Sequence, residues 1–581
     1  NAVSQPVPPG FAKVQRGGRY RWRIRAVDKA AAVLGNGAYP PLVRHLLWGR
    51  GVRTDLEALR FLDEATGPSV AVTHDPFLLP DMDRAVARLK SARAQGELVA
   101  AWGDFDVDGV TSCALLLEGL GGLGFHVIAY IPDRFTEGYG LNQEGIAALR
   151  RKGVSVIVTA DCGTSNVAEV AYARELGMDV IVVDHHTTPP LLPDAHAIVN
   201  PKVPDSPYPC AELAACGVVF KLLQALYDAC GRQFVEEDYI DLVALGTVVD
   251  MAPLQDENRD IVRRGLRELR RSRRPGVRAL MDVAGVAPEG VSARDLGFGL
   301  GPRLNAAGRL AHARQALELL LAQDEGHAHE LAMELNALNL ERRRQTEEAV
   351  TLARQIVTAR DELAPLVFVG DRSFPSGVVG LVASRLVEEL HRPAIVFQEG
   401  ELESRASARS IPVFDIVSAL RPHADLMVRF GGHRQAAGFT VENVHREALR
   451  AALERGASEL LSAADLEPTI DIDAAVPLGR LRGEDIRYIG KFAPFGIGNP
   501  EITLLSRGAE VLECRPVGGD GEHLRLKLRD QGITWPAIAF RQAASGLEPG
   551  TRADVVYSLT PDIGPAGLLQ LTVRDFALSS A

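Results

Sequence analysis

The sequence predicts a multidomain α/β protein: a parallel-sheet domain, a long connecting helix, a second α/β domain and a small C-terminal β-barrel. Three observations predict it. At 581 residues the chain is too long for one hydrophobic core. From about Glu97, short apolar runs alternate with helical patterns, and from about Pro468 the chain is β-rich and punctuated by glycine. The 46% hydrophobic and 24% charged shares are ordinary for globular protein.

The first fifty residues are loosely patterned and rich in Pro and Gly at the start, which reads as a flexible lead before a small helical segment. The runs LVAAWGD, HVIAYIPDR, VSVIVTAD, DVIVVDHH and AIVNPK follow, separated by helical stretches from Thr111, near Gln143 and near Ala168. Each run is apolar on both faces and too short for an independent helix, as expected for a parallel sheet covered by helices on both sides. Three of these runs end in Asp104, Asp161 and Asp184. Ligand sites of such sheets lie at the carboxyl ends of the strands, so these acids are expected to converge. The chain then reads helical from about Ala214 to Ala359. This stretch includes an Arg-rich run over Arg259–Arg278 and one long helical pattern from about Arg314 to Arg360, a spacer between domains. The second α/β unit runs from PLVFVGD (Pro365–Asp371) to near Leu461. The strands AEVLECRPV, HLRLKLRD, TWPAIAF and LLQLTVRDF suit a small barrel. The expected domains are 1–48, 49–255, 256–360, 361–464 and 465–581.

No apolar run is long enough to span a membrane, and no basic, apolar leader is visible. The chain starts at Asn1 rather than Met, so a missing upstream segment is expected. The six cysteines show no Cys-x-x-Cys pair or zinc-finger spacing and read as reduced thiols of a cytoplasmic protein. A net charge of −11 argues against a surface coated with positive charge but leaves local nucleic-acid binding open. Arginine outweighs lysine, which either codon bias or bidentate phosphate binding explains.

Four motifs carry chemistry. In Gly103-Asp104-Phe105-Asp106-Val107-Asp108-Gly109, Asp104 and Asp106 are two apart at a strand end and can project to one side, as a hard divalent cation requires. Asp108 is expected to cap the following helix, with Gly109 permitting a tight turn. Asp161 ends the next strand but one. Asp184-His185-His186 places tandem histidines beside an acid, so that one can ligate metal while the other meets substrate. Asp250 ends an apolar helical run, where a charge is costly unless paired or bound to metal. Asp104, Asp106, Asp161 and Asp250 supply four negative charges, enough to neutralise two divalent ions.

DFDVDG, ADCG, DHH and VVDM resemble the metal-site motifs of the DHH phosphoesterase family, and GGHRQAAGF (Gly431–Phe439) resembles the signature of the DHHA1 domain that follows it. IPDRFTEGYGLN (Ile131–Asn142) and GPRLNAAGRL (Gly301–Leu310) extend the similarity to the branch of bacterial single-strand-specific exonucleases, from about Gly49 through a final barrel resembling an OB-fold. The resemblance implies that Asp104 and Asp106 hold different metals, that Asp161 bridges them, and that His185 and Asp250 complete the ligands. It implies that His186 contacts the scissile phosphate or leaving group and that Asp184 supports it. It implies two divalent ions, Mn²⁺ or Mg²⁺, and 5′-to-3′ hydrolysis of single-stranded DNA to 5′-mononucleotides in DNA repair and recombination. The alternatives are a family phosphodiesterase of short oligonucleotides or cyclic dinucleotides, and a non-catalytic single-strand-binding scaffold. Many family members carry a histidine just before the first motif. Here Ala100-Ala101-Trp102-Gly103 has none, so one metal site is expected to hold more water.

Ser407, Arg409 and Ser410 resemble the family's Ser/Arg substrate motif, and Arg134 lies in the matched IPDRFTEGYGLN segment. Gly431, Gly432 and His433 read as a Gly-rich turn able to approach a phosphate. Arg303, Asn305 and Arg309 have the chemistry to hold phosphates, with interdomain hydrogen bonding the alternative for Asn305. Phe492, Phe495, Trp535 and Phe540 are base-stacking candidates, although aromatics of small barrels usually belong to the core. The Arg259–Arg278 run is read as a DNA path or a solvated helix face. The expected partners are single-stranded DNA and, among proteins, repair helicases or single-strand-binding proteins, with a monomeric chain and no membrane.

Overall fold

Strand–helix alternation from Leu98 builds the parallel sheet that the sequence predicts. A computed structural model describes residues 11–28, 31, 34, 38–62, 72–271, 273–360, 362–481, 483–543, 546–561 and 569–579. Its contacts divide the chain into two units: Ala71–Ala349 with Pro494–Pro500, and Asn1–Val70 with Val350–Ala493 and Glu501–Ala581.

In the first unit the sheet order is His126–Tyr130, Leu98–Trp102, Val154–Thr159, Asp179–Val183, Ala197–Val199, all parallel. The strand order reverses between Leu98–Trp102 and Val154–Thr159, which opens a crevice at their carboxyl ends. Alternate residues serve the two faces. Val156, Val158, Ile181 and Val183 join the core beneath the helices Met82–Gln95, Val107–Gly122 and Ala215–Ala229. Ile157, Val180 and Val182 face the helices Gln143–Arg151 and Val167–Glu175. This two-sided burial is why the strands read as continuous apolar runs.

The helical region departs from expectation in one respect. The single pattern from Arg314 to Arg360 is two helices, Arg314–Leu321 and Glu325–Thr358. Ala322 is extended and the Asp324 carboxylate accepts the His327 N–H at 2.8 Å, a side-chain cap that starts a new helix. The second helix, 34 residues long, spans roughly 50 Å at about 1.5 Å per residue. In the Arg259–Arg278 run, Arg267, Arg270, Arg271 and Arg273 are exposed, as on a solvated helix face, and many of the arginines are paired. Arg263 and Arg264 pair with Asp260, Arg271 with Glu268, Arg274 with Glu118 and Asp241, and Arg278 with Glu325. Arg259 donates to the Pro494 carbonyl at 3.2 Å. Acids of the same helix, Asp260 and Glu268, and acids from other segments, Glu118, Asp241 and Glu325, share the pairing, while Arg267 and Arg270 stay exposed.

In the second unit, a mixed sheet orders Met427–His433, Ala436–Glu442, Glu403–Arg409, Ala394–Glu399 and Val367–Asp371, and only the last two strands are parallel. The barrel is closed: Leu504–Val517 pairs with both His523–Asp530 and Arg552–Pro561, and Ile533–Ala539 and Leu569–Leu578 complete the ring. In HLRLKLRD the leucines are buried inward while Arg525, Lys527 and Arg529 face solvent.

The N-terminal segment also departs from expectation. From Phe11 it is a β-hairpin, Phe11–Arg16 with Arg21–Arg25, whose second strand pairs in parallel with Thr469–Ile472. Residues 1–10 lie outside the described residues. Buried Asp575, on the last barrel strand, accepts the N–H groups of Gly18, Arg19 and Tyr20 at 3.0–3.2 Å and Trp22 Nε1 at 2.7 Å. A partner more than 550 positions away orders a lead that looks formless locally. Among the described residues, no helix is long and apolar enough to cross a membrane.

Candidate active site

Asp104 and Asp161 follow the two strands that flank the reversal of sheet order. Asp106 is the N-cap of the Val107–Gly122 helix, and its Oδ1 accepts the N–H groups of Asp108 at 3.0 Å and Gly109 at 3.2 Å. This corrects the expectation for Asp108, which lies inside that helix. Its buried carboxylate instead accepts Ala215 N–H at 2.7 Å and Cys216 N–H at 2.9 Å, capping a helix about a hundred residues later. The helix begins one turn earlier than expected because Asp106 already satisfies its first donors. Gly109 serves close packing rather than a turn, since a Cβ there would overlap the Asp104 backbone.

Three groups of side chains place one ligand atom each within 4.8 Å of one another: Asp104, Asp106 and Asp161; Asp161, His185 and His186; and Asp108, His185 and Asp250. His185 Nε2 lies 3.2 Å from Asp161 Oδ1, and its Nδ1 lies 3.8 Å from Asp250 Oδ2. Asp104 Oδ1, Asp161 Oδ1 and His185 Nε2 are buried without a hydrogen-bond partner, so the short His185–Asp161 approach lacks hydrogen-bond geometry. Asp161 also has a left-handed backbone, φ +67, uncommon for a residue with a side chain and concentrated at functional sites.

Crowding sets the protonation of these groups. Burial and the Asp106 charge raise the Asp104 carboxyl well above its ordinary range. Burial and the charges of Asp106, Asp108 and Asp104 do the same to Asp161, and burial with Asp108 and Asp106 lifts Asp250 to about 9. Burial lowers the basicity of His185. Asp184 behaves oppositely. Burial works against its charge, but four donors hold it below the usual carboxylate range. Oδ1 accepts His185 N–H at 2.8 Å, His186 N–H at 3.2 Å and His186 Nδ1 at 2.8 Å, and Oδ2 accepts Thr164 N–H at 3.0 Å. Asp184 in turn outweighs the effect of burial on His186 and raises its pKa.

Asn200 lies in no motif read from the sequence, and Tyr139 lies within one without being singled out. Asn200, fully buried, donates to Thr164 Oγ1 at 3.1 Å and to the His186 carbonyl at 3.0 Å. The Tyr139 hydroxyl donates to the Asp161 carbonyl at 3.0 Å and lies 3.2 Å from His186 Nδ1. Arg134 sits over the Phe105 ring at 4.7 Å. Burial lowers its pKa while the charges of Asp104 and Asp106 oppose that shift. Arg303 is engaged with Asn336 Oδ1 and the carbonyls of Gly299 and Val283, so it ties helices together. Asn305 Oδ1 accepts the Val107 N–H at 3.2 Å, a bond that joins the expected segments 49–255 and 256–360 within one compact unit. Arg309 lies on the same helix, Gly301–Leu310.

In the second unit, Arg409 Nη1 donates to Ser407 Oγ at 3.0 Å and to the Ala408 carbonyl at 2.8 Å. A Cβ at Gly380 would come 3.0 Å from Ser407 Oγ and 3.1 Å from Arg409 Nη2, so both side chains lie against the first turn of the Val379–Leu390 helix. A guanidinium, a hydroxyl and a helix N-terminus together suit a phosphate. Ser410 donates to the Phe414 carbonyl at 2.7 Å. Gly431, Gly432 and His433 are not a turn. They end the strand Met427–His433, and the hairpin reverses at Arg434 and Gln435. Gly432 is required there because a Cβ would overlap the Ala436 carbonyl, at φ +146. Phe492 is fully buried, edge-on to Phe61 at 5.2 Å, and belongs to the core. Trp535 is half-buried, while Phe540 is exposed beside His523 at 5.2 Å; Phe495 falls in the segment that joins the first unit.

Known proteins share this arrangement. Residues 98–247 match the N-terminal domain of the DHH family, 364–460 the DHHA1 domain and 472–563 the RecJ OB domain. The single-stranded-DNA-specific exonuclease RecJ of Bacillus subtilis is 36% identical over 572 residues, covering 97% of this chain and 71% of that protein. The Escherichia coli protein of the same name is 36% identical over 531 residues, covering 88% and 90%. The chain belongs to the RecJ family. The crystal structure of RecJ in complex with Mn²⁺ from Thermus thermophilus superposes with a TM-score of 0.83 at 30% identity, over 97% of this chain and 80% of that one. A Mg²⁺ complex from the same organism gives a TM-score of 0.77 at 29% identity, over 97% and 79%.

The side chains of this RecJ-family chain fit such cations. Carboxylate and imidazole donors suit Mn²⁺ or Mg²⁺. The unpartnered atoms of Asp104, Asp161 and His185 and the raised carboxyl pKa values mark a site whose charge a cation would neutralise. The buried strand Leu98–Trp102 supplies no histidine, and its last residue Trp102 stacks on Tyr130 at 4.2 Å instead.

Proposed function

We propose that this chain is a divalent-metal-dependent exonuclease that hydrolyses single-stranded DNA from the 5′ end to 5′-mononucleotides. The observation that carries the reading is the convergence of Asp104, Asp106, Asp161, His185 and Asp250, drawn from 147 positions of sequence, into overlapping ligand groups. Those five residues would hold two ions, with Asp161 shared between them. When bound, the ions polarise a phosphate and lower the pKa of the attacking water.

The chain's own groups do the rest. Asp184 orients His186 and favours its charged form, which places positive charge where the phosphate becomes more negative. Thr164 and Asn200 hold the backbone around that pair. Arg134, beside Asp104 and Asp106, offers a guanidinium to an adjacent phosphate. In the second unit Ser407, Arg409, Gly432 and His433 supply a further phosphate contact, and the closed barrel binds strand further along. The barrel favours long strands over dinucleotides, since a small substrate needs no such surface. The protein acts as a cytoplasmic monomer in DNA repair and recombination, with helicases or single-strand-binding proteins as its partner class.

Digestion of 5′- and 3′-labelled oligonucleotides with Mn²⁺, Mg²⁺ or EDTA tests activity, polarity and metal need together. Release of labelled mononucleotide from the 5′ end first, abolished by EDTA, is expected. Undiminished cleavage in EDTA, or cleavage confined to dinucleotides, overturns the reading.

A further inference from the structure

The helix Gly301–Leu310 carries no ligand, yet it touches the backbone beside two of the metal-site carboxylates. Asp106, as N-cap, satisfies the N–H groups of the second and third helical residues, Asp108 and Gly109. The N–H of the first, Val107, remains one of the orphan donors of the helix start. Asn305 Oδ1 takes it at 3.2 Å. One turn further on, the Gly308 backbone lies so close to the peptide preceding Asp106 that a Cβ would overlap the Phe105 carbonyl oxygen. At the other end, a Cβ at Gly301 would collide with the Val249 side chain, and Val249 immediately precedes Asp250. Phe105, Asp106 and Val107 are thus clamped from both sides by a single helix, and the same helix abuts the carrier of Asp250.

We infer that Asn305 is a positioning residue for the metal centre, with Gly308 as the spacer that lets its helix reach the first motif. The inference rests on the two-metal reading above. Its physical basis is geometric. Asp106 has one oxygen committed to the helix start, so the direction of the other follows from how that start is held. Loss of the Val107 contact frees the first turn to fray and the Asp106 carboxylate to turn. Groups that orient a ligand typically change metal affinity by about 10–100-fold. A residue contacting DNA directly would instead change substrate affinity and leave metal binding intact.

The test measures Mn²⁺ affinity of the full chain without DNA, from the electron paramagnetic resonance signal of free Mn²⁺, for wild type, Asn305→Ala, Asn305→Asp and Gly308→Ala. Unfolding midpoints in EDTA and kcat and KM on a single-stranded oligonucleotide are measured alongside. Asn305→Ala and Gly308→Ala are expected to weaken Mn²⁺ binding about 10–100-fold. Their kcat should fall at limiting Mn²⁺ and recover at high Mn²⁺, with KM for DNA unchanged. Asn305→Asp keeps an acceptor for Val107 and should restore most of the affinity. Wild-type Mn²⁺ affinity in both Asn305→Ala and Gly308→Ala overturns the inference, and a raised KM in Asn305→Ala with that affinity reassigns the residue to DNA. If Asn305→Ala does not fold, equal Mn²⁺ affinity of Gly308→Ala and wild type is sufficient to overturn it. A wild-type chain that binds no Mn²⁺ would instead refute the metal reading itself.

Discussion

Replacing Asp184 with Asn removes a charge and little else, so its consequences can be worked from four contacts. In the native site Oδ1 accepts three donors, from His185 N, His186 N and His186 Nδ1, and Oδ2 accepts Thr164 N–H at 3.0 Å. An amide oxygen can retain the first three. The amide nitrogen then faces Thr164 N–H, donor against donor, with Thr164 almost wholly buried. Leaving that donor unsatisfied costs about 1–3 kcal/mol. The three retained bonds lose their charge assistance, at about 1 kcal/mol each. The sum, about 4–6 kcal/mol before relaxation, is a large share of a typical domain's stability. His186 loses the carboxylate that raises its pKa, so burial prevails and the ring titrates at lower pH. With the bond to His186 weakened and the ring neutral, kcat should fall about 10–100-fold even at saturating Mn²⁺. Urea unfolding, single-turnover digestion of a 5′-labelled strand, and NMR titration of His186 in the metal-free protein read the three effects. A variant with wild-type kcat and an unmoved His186 titration would refute the assignment of Asp184 as the group that orients this histidine.

Further outcomes follow from the same geometry. Asp161→Ala should abolish cleavage while DNA binding, measured by fluorescence anisotropy, stays within a few fold; full activity would remove the shared-ligand role of Asp161. The raised carboxyl pKa values of Asp104, Asp161 and Asp250 mean that the folded, metal-free protein binds more protons than the unfolded chain above pH ~4. Its stability should therefore fall as pH rises from there toward about 9, where Asp250 titrates. Metal displaces those protons, so the rise in Tm on adding Mn²⁺ should grow with pH across the window; an increment independent of pH would contradict the crowding. Asp575→Ala leaves the buried Trp22 indole and the hairpin N–H groups of Gly18, Arg19 and Tyr20 unsatisfied. A loss of about 2–4 kcal/mol by urea unfolding, with Mn²⁺ affinity unchanged, is expected.

Much of the site was legible because its signals are local. A strand that ends in Asp, a pair of acids two apart and an Asp-His-His triplet each declare themselves within a few residues, and apolar runs exposed the parallel sheet that gathers them. The barrel strands were legible for the same reason, through the alternation of leucine with Arg and Lys in HLRLKLRD. The assignments that failed depended on partners far away. Asp108 looked like the cap of its own helix, but Asp106 had taken that place and Asp108 caps the helix at Ala215. For the Arg-rich run, read as a DNA path or a solvated helix face, spacing showed the partners Asp260 and Glu268 on its own helix but not Glu118 and Asp241 from elsewhere. The N-terminal lead looked formless because the carboxylate that orders it sits at the other end of the chain.

The sequence by itself determined which chemical groups are available: four aspartates and a histidine pair on strand and helix ends, and an alternating pattern that a barrel can close. Only the tertiary structure decided which of those carboxylates stay unpartnered for a cation and which are consumed as caps. The physical reason is that a carboxylate's role depends on the donors that reach it. For Asp184 and Asp575 those donors come from segments that only folding brings within hydrogen-bond distance.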